Sequence, residues 1–297
     1  MTRDAITDWP LARLAREPLA EGLRLGAVHL TVSDLERSLS WWRDAVGLRP
    51  RPLEGRSAGL HAGGEDLVVL VEESGARPVR GHTGLFHLAL LLPSRADLAR
   101  WLAHAAAGRV PLEGLSDHWV SEAIYLRDPD GHGLEIYADR SPDAGAWTRG
   151  MTTIPLDVEG LLATIGGRSA LGAPYEGMPV GTRVGHVHLH VADLDASDRF
   201  ALDVLGLDRT TMIDGQASFW SADGYHHHLA GNLWAGRGAT PSPPGSAALR
   251  HATLVLPSAE QVERIAARAA DAGGSPEGRE DGVLVTDPAG SRLLLAS

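Results

Sequence analysis

Glu135 sits in Leu134-Glu-Ile-Tyr137, where apolar neighbours make a carboxylate costly to bury unless it is paired or holds a metal. An exposed strand position or a salt bridge is the plain alternative. His87, in Phe86-His-Leu-Ala-Leu90, opens the same stretch of chain. One more imidazole would complete two His and one carboxylate, the set that non-heme Fe(II) oxygenases use and that leaves three metal positions open. His29 and His188 compete for that third place. Between His87 and Glu135 lie His118 and Tyr125, in Asp117-His-Trp-Val-Ser-Glu-Ala-Ile-Tyr125. A His suits acid–base work because its pKa lies near neutrality; a surface His and a core Tyr is the alternative.

Composition narrows the field. The chain has 297 residues, no cysteine, 14 His and a net charge of −11. Without cysteine there is no disulfide, no Cys-ligated zinc or iron–sulfur cluster and no thiol catalysis, so metal ligands must come from His, Asp and Glu. The acidic balance argues for no nucleic acid partner, because phosphate binding needs clustered Lys and Arg. No apolar run is long enough for a membrane span, and Met1–Arg24 lacks a signal-peptide pattern. No membrane association and a cytoplasmic location are the expectations.

These residues must be positioned by elements that the chain repeats. Gly26-Ala-Val-His-Leu-Thr-Val-Ser-Asp-Leu35 recurs as Gly185-His-Val-His-Leu-His-Val-Ala-Asp-Leu194, so His29 maps to His188 with an offset of 159. Asp128-Pro129 maps to Asp287-Pro288 at the same offset, and Phe86–Ser94 maps to Arg250–Ser258 at 164. Each half holds two similar units. In the first, Val28, Leu30 and Val32 alternate with His29 and Thr31 as a strand. Ser33 with Glu36 and Ser258 with Gln261 read as capping boxes. Helices are expected over Leu35–Val46, Ala96–Ala107, Leu194–Val204 and Ala259–Ala272, with Gly47, Gly206 and Gly273 where they stop. Short strands follow each helix, and Asp128-Pro-Asp-Gly131 reads as a turn between two of them. The fold class is α+β, with four βαβββ modules in tandem. The organisation expected is an N-terminal extension (1–24), a first domain of modules one and two (25–140), a linker with a short helix at Val158–Ile165 (141–183), and a second domain of modules three and four (184–297).

The four units, the His on their first strands and the ending Asp-Pro-Asp-Gly-x-x-x-Glu-Ile-Tyr resemble the vicinal oxygen chelate superfamily, which includes glyoxalases, bleomycin resistance proteins and dioxygenases. More narrowly, residues 25–140 and 184–297 are similar to the two-domain extradiol dioxygenases of the catechol 2,3-dioxygenase type. The resemblance implies one Fe(II), with Mn(II) as the alternative, held by two His and one Glu. It implies a small aromatic diol and O₂ as substrates, with ring opening beside the hydroxyl pair. It assigns an acid–base role to His118 and a hydrogen bond to substrate oxygen to Tyr125. This chain departs from the family at Trp119, where Gly often follows the His, and in a shorter His–Tyr interval.

Asymmetry between the copies bears on the choice of site. Position 294, the duplicate of Glu135, is Leu, and the duplicates of His118 and Tyr125 are Glu277 and Leu284. In module three, His186, His188 and His190 share one strand face, and Tyr225-His-His-His228 is expected in its last strand. Module one has Asp66-Leu-Val-Val69 there. The expected ligands are therefore His87, Glu135 and His188, which requires modules two and three to pair across the duplication. His29 is the competing third ligand, giving a site within the N-terminal half, and His227 is a catalytic hydrogen-bonding neighbour. Two rival readings remain: a glyoxalase-like lyase or isomerase, which usually carries a second carboxylate, and a non-catalytic protein that binds an aromatic compound. Subunit number is open, a homo-oligomer included.

Overall fold

Alternation decides where the strands lie. In β1 (Arg24–Val32) the side chains of Val28, Leu30 and Val32 are fully buried, while His29 faces the other way. The computed structural model describes Leu19 and residues 21–141 and 150–297, so nearly all of the expected N-terminal extension lies outside the described residues. Module one continues with α1 (Leu35–Trp41), β2 (Arg49–Pro52), β3 (Ser57–His61) and β4 (Asp66–Glu72), followed by a short β5 (Arg77–Pro78). Module two is β6 (Gly84–Leu91), α2 (Arg95–Ala107), β7 (Gly114–Asp117), β8 (Ser121–Arg127) and β9 (Gly133–Asp139). The linker adds β10 (Ile154–Pro155), which pairs with β7, and α3 (Val158–Ala163), the expected short helix. Module three is β11 (Arg183–His190), α4 (Leu194–Arg199), β12 (Asp208–Ile213), β13 (Ala217–Ser221) and β14 (Leu229–Asn232), with a short β15 (Ser246–Ala247) after it. Module four is β16 (Leu249–Val255), α5 (Ala259–Asp271), β17 (Glu277–Arg279), β18 (Gly282–Thr286) and β19 (Arg292–Ala296).

The helices start and stop for local reasons. Ser258 accepts from the backbone N–H of Gln261 and caps α5 as expected. Helix α1 is capped by Asp34, not by Ser33. Ser33 donates its hydroxyl to Asp130 at 2.6 Å instead, tying module one to the turn of module two. Both α1 and α4 widen into a π turn, and these end at Gly47 and Gly206 with φ of 91° and 80°. That left-handed geometry favours glycine, and a Cβ on Gly47 would lie 2.7 Å from the Tyr175 ring.

The sheets do not follow the duplication. One sheet runs β17-β18-β19-β16-β1-β4-β3-β2, joining modules one and four. The other runs β10-β7-β8-β9-β6-β11-β14-β13-β12, joining modules two and three. Each joint is an antiparallel pair of first strands, β1 with β16 and β6 with β11. The helices cover one face of each sheet, where Trp42, Trp101, Leu88, Leu90 and Leu98 are fully buried.

Candidate metal centre and its pocket

The joint between β6 and β11 brings the groups of module two against the histidines of module three. In its register His87 lies opposite His188, and Ala89 lies opposite His186. On the other side of β6, Ala89 pairs with Glu135 of β9. Glu135, Ala89 and His186 thus form one row across three strands, and residues opposite one another in a sheet share a face. Ala89 is buried and too small to separate its neighbours. Over it, His186 Nε2 comes within 3.1 Å of Glu135 Oε2. His87, one step along β6, brings its Nε2 to 3.0 Å from the same oxygen and 3.4 Å from His186 Nε2.

The register depends on two bulges. Between Val184 and His186 the extra residue is Gly185, where a Cβ would stand 1.8 Å from the Tyr137 hydroxyl. Only glycine fits there. Between His188 and Leu189 the extra residue is Phe86 of β6, and its ring packs beside His188 and Trp234 at 5.1 and 5.0 Å.

His87, Glu135 and His186 offer three ligand atoms within 4.8 Å of one another, and all three residues are buried. Ligand atoms on one face of an octahedron, with bonds of about 2.1 Å, stand about 3 Å apart. The 3.0, 3.1 and 3.4 Å spacings fit that arrangement. Burial raises the Glu135 pKa, but the charges and hydrogen bonds of His186 and His87 outweigh it and hold this carboxyl well below the usual range. Burial depresses His186, with Glu135 opposing. The donor set therefore suits a divalent cation that takes N and O ligands.

His188 is not in this group. Asn232 Nδ2 donates to its Nε2 at 3.0 Å, which occupies the lone pair a metal would need. The amide is fixed in that orientation because its Oδ1 accepts from the backbone N–H of Trp234 and contacts His190 Nδ1 at 2.7 Å. His186, and not His188, lies with His87 and Glu135, for a reason of register. His29 stacks on His251 at 4.0 Å in the other sheet, far from Glu135 in the topology. The Tyr225–His228 run precedes β14 as a loop, not as the strand expected from the sequence, yet its three His are buried.

A cavity of about 230 Å³ opens over the three ligand atoms. His118, Tyr125, His188 and His227 line it, together with Phe219 and Met151. His118 Nδ1 lies 2.6 Å from the Thr152 carbonyl, which can only accept, so Nδ1 carries the proton in the neutral ring. Its Nε2 then accepts from the Tyr125 hydroxyl at 2.7 Å. Burial, then the Glu135 charge, pushes the Tyr125 phenol well above its ordinary pKa. At the far side, Asp139 accepts from His226 Nε2 at 2.8 Å, and the two Nδ1 atoms of His226 and His227 are 2.8 Å apart. His227 must donate across that contact, which leaves the lone pair on its own Nε2.

A family model described as the Glyoxalase/Bleomycin resistance protein/Dioxygenase superfamily matches residues 24–136 and 183–294. The sequence is 40% identical over 278 residues to a protein named catechol-2,3-dioxygenase from Bacillus subtilis (strain 168), covering 90% of this chain and 95% of that one. Among solved structures, glyoxalase I from Zea mays superposes with a TM-score of 0.58 at 13% identity, covering 92% of each chain. The cppA protein from Streptococcus pneumoniae TIGR4 superposes with a TM-score of 0.54 at 11% identity, covering 97% and 99%. At those identities the structural likeness concerns the fold.

Proposed function

Because this chain belongs to the Glyoxalase/Bleomycin resistance protein/Dioxygenase superfamily, we propose that it is an extradiol dioxygenase that opens a catechol-type ring with O₂. The observation that carries this reading is the His87–Glu135–His186 group at the floor of a pocket that also presents His118 and Tyr125. Those three residues would hold Fe(II), with Mn(II) as the alternative. When bound, the metal would supply Lewis-acid chemistry and a template for the diol and O₂.

The other groups of the pocket bind and move protons. Tyr125 stays a neutral phenol; its single proton, donated to His118 Nε2 here, goes to a substrate oxygen when the hydroxyl turns toward one. The His118 ring, anchored through Nδ1 on Thr152, can take a proton at Nε2 once Tyr125 turns its hydroxyl away, and can return it as the ring opens. His227 offers its Nε2 lone pair to a substrate hydroxyl. Phe86, Phe219 and Trp234 supply the apolar walls a flat ring needs. A glyoxalase-like reaction is less well served, because Glu135 is the one carboxylate in the three-donor group among the described residues. No helix among those residues is long and apolar enough to cross a membrane, and the cytoplasm is the location that belongs to this reading.

The test is an aerobic assay of Fe(II)-loaded protein with catechol, following O₂ uptake and the yellow ring-opened product together. One O₂ consumed per product is expected. His118→Phe should still bind metal and catechol while turnover falls about 10²–10⁴-fold. Bound iron and bound catechol with no O₂ uptake by the parent protein would sink the reading.

A further inference from the structure

Phe86 and Trp234 separate the catalytic pocket from a second cavity of about 420 Å³. Both side chains line both spaces, and their rings meet edge to face at 5.0 Å. The partition is thus one pair of aromatic side chains in contact; Trp234 rests on Phe86 and His188 and is otherwise 53% exposed. A substituent on a bound ring could pass where the Trp234 ring turns aside into solvent.

The chemistry changes across that partition. Arg80 and Arg127 line the second cavity with His132 and His190. The carboxylates that also reach it are already engaged. Glu113 accepts from Arg127 Nε at 2.7 Å, and Asp130 is held by Arg37 at 2.6 Å and by Ser33. Arg127 Nη1 donates to the Gly131 carbonyl at 2.9 Å, so the guanidinium is fixed in orientation with its Nη2 edge left over. Arg80 has no acidic partner among the described residues. One cationic charge in the cavity is therefore uncompensated, beside a rigid second guanidinium. Guanidinium groups recognise carboxylates through paired, charge-assisted hydrogen bonds.

We propose that the second cavity is a substrate subsite for a carboxylate borne on a side chain of the diol ring, with Arg127 and Arg80 as its donors and Phe86 and Trp234 flanking the linking carbons. This rests on the dioxygenase reading and names the substrate class within it. A ring with a one- or two-carbon acidic arm would place its hydroxyl pair over His87, Glu135 and His186 while the acid lies past the aromatic pair.

The experiment is anaerobic calorimetry on the Fe(II)-loaded protein, where the diol binds without turnover. The ligands are catechol, the 2,3- and 3,4-dihydroxyphenylacetates and their methyl esters. At least one acid should bind about tenfold or more tighter than its ester. Arg127→Met and Arg80→Met should each weaken that acid about tenfold and leave catechol and the ester within about twofold. Both arginines are accessible at the surface, so neither change empties the core. Equal affinity for acids and esters in the parent protein overturns the subsite, as does an equal loss of both in the variants. Catechol opening is followed separately. A protein that opens catechol yet treats acid and ester alike loses the subsite and keeps the dioxygenase reading. A marked acid preference without ring opening does the reverse.

Discussion

His186 and His188 lie on one strand face two residues apart, yet they have different chemistry because different atoms meet their Nε2 lone pairs. The first faces Glu135 and His87, and the second accepts from Asn232. His186→Ala should therefore cut bound iron from about one equivalent to a small fraction, as measured by metal analysis after anaerobic loading and desalting. His188→Ala should retain most of the iron and weaken catechol binding, since its ring packs with Phe86 and Trp234 in the wall of the pocket. The opposite pattern of metal loss would return the third place to His188. A sequence signal for His186 did exist. Its duplicate is Ala27, so like Glu135 it is confined to one copy, whereas His188 repeats as His29. The signal is partial, because His87 also repeats, as His251.

At the scale of elements, the site is a row across β9, β6 and β11 that works because its middle member is small. Ala89 lets Glu135 and His186 approach to 3.1 Å above it. Ala89→Leu should keep the strand pairing but fill the space in which the three ligand atoms converge. The expected outcome is a protein with an unchanged circular dichroism spectrum that has lost most of its metal affinity. Overpacking of this kind also costs about 1–3 kcal/mol of stability, so the denaturant midpoint should fall modestly. Retention of full metal content would mean that the row is not what sets the site. Helix limits were legible nearly to the residue, because N-caps and terminal glycines act locally. The cap of α1 was the exception: Ser33 was drawn off by the buried carboxylate of Asp130, 97 residues away, and Asp34 took its place.

For the whole molecule, the pairing of modules explains why one such three-donor group, and not two, is found among the described residues. Modules one and four reproduce the joint with His29 against His251, but Leu294 stands where Glu135 would be and Ala27 where His186 would be. The stacked imidazoles there have no carboxylate to share, and burial drives His251 down to about 3. Titration with Fe(II) should thus saturate at about one equivalent per chain, and His29→Ala should leave that stoichiometry unchanged while lowering stability. A second equivalent of similar affinity, lost with His29→Ala, would place a working centre in the other sheet.

The sequence alone determined the four βαβββ modules and their order, because alternation, caps and duplication are all written locally or at a fixed offset. It also singled out His87, Glu135, His118 and Tyr125, which the structure gathers around one pocket. The choice of module two as the chemically distinct copy was equally legible, since Leu294, Leu284 and Glu277 stand at the matching positions. The histidine asymmetry favoured joining module two to module three, and the tertiary structure has that joint together with one between modules one and four, across the boundary that duplication suggests. Only the tertiary structure decided which imidazole meets Glu135, through the bulges at Gly185 and Phe86. Register between distant strands is set by how their side chains pack once the sheet has formed, and Gly185 is required by a tyrosine hydroxyl that lies 48 residues away in the chain. No local pattern encodes that contact, so the sequence could hint at His186 through its missing duplicate, while which imidazole meets Glu135 is fixed only in three dimensions.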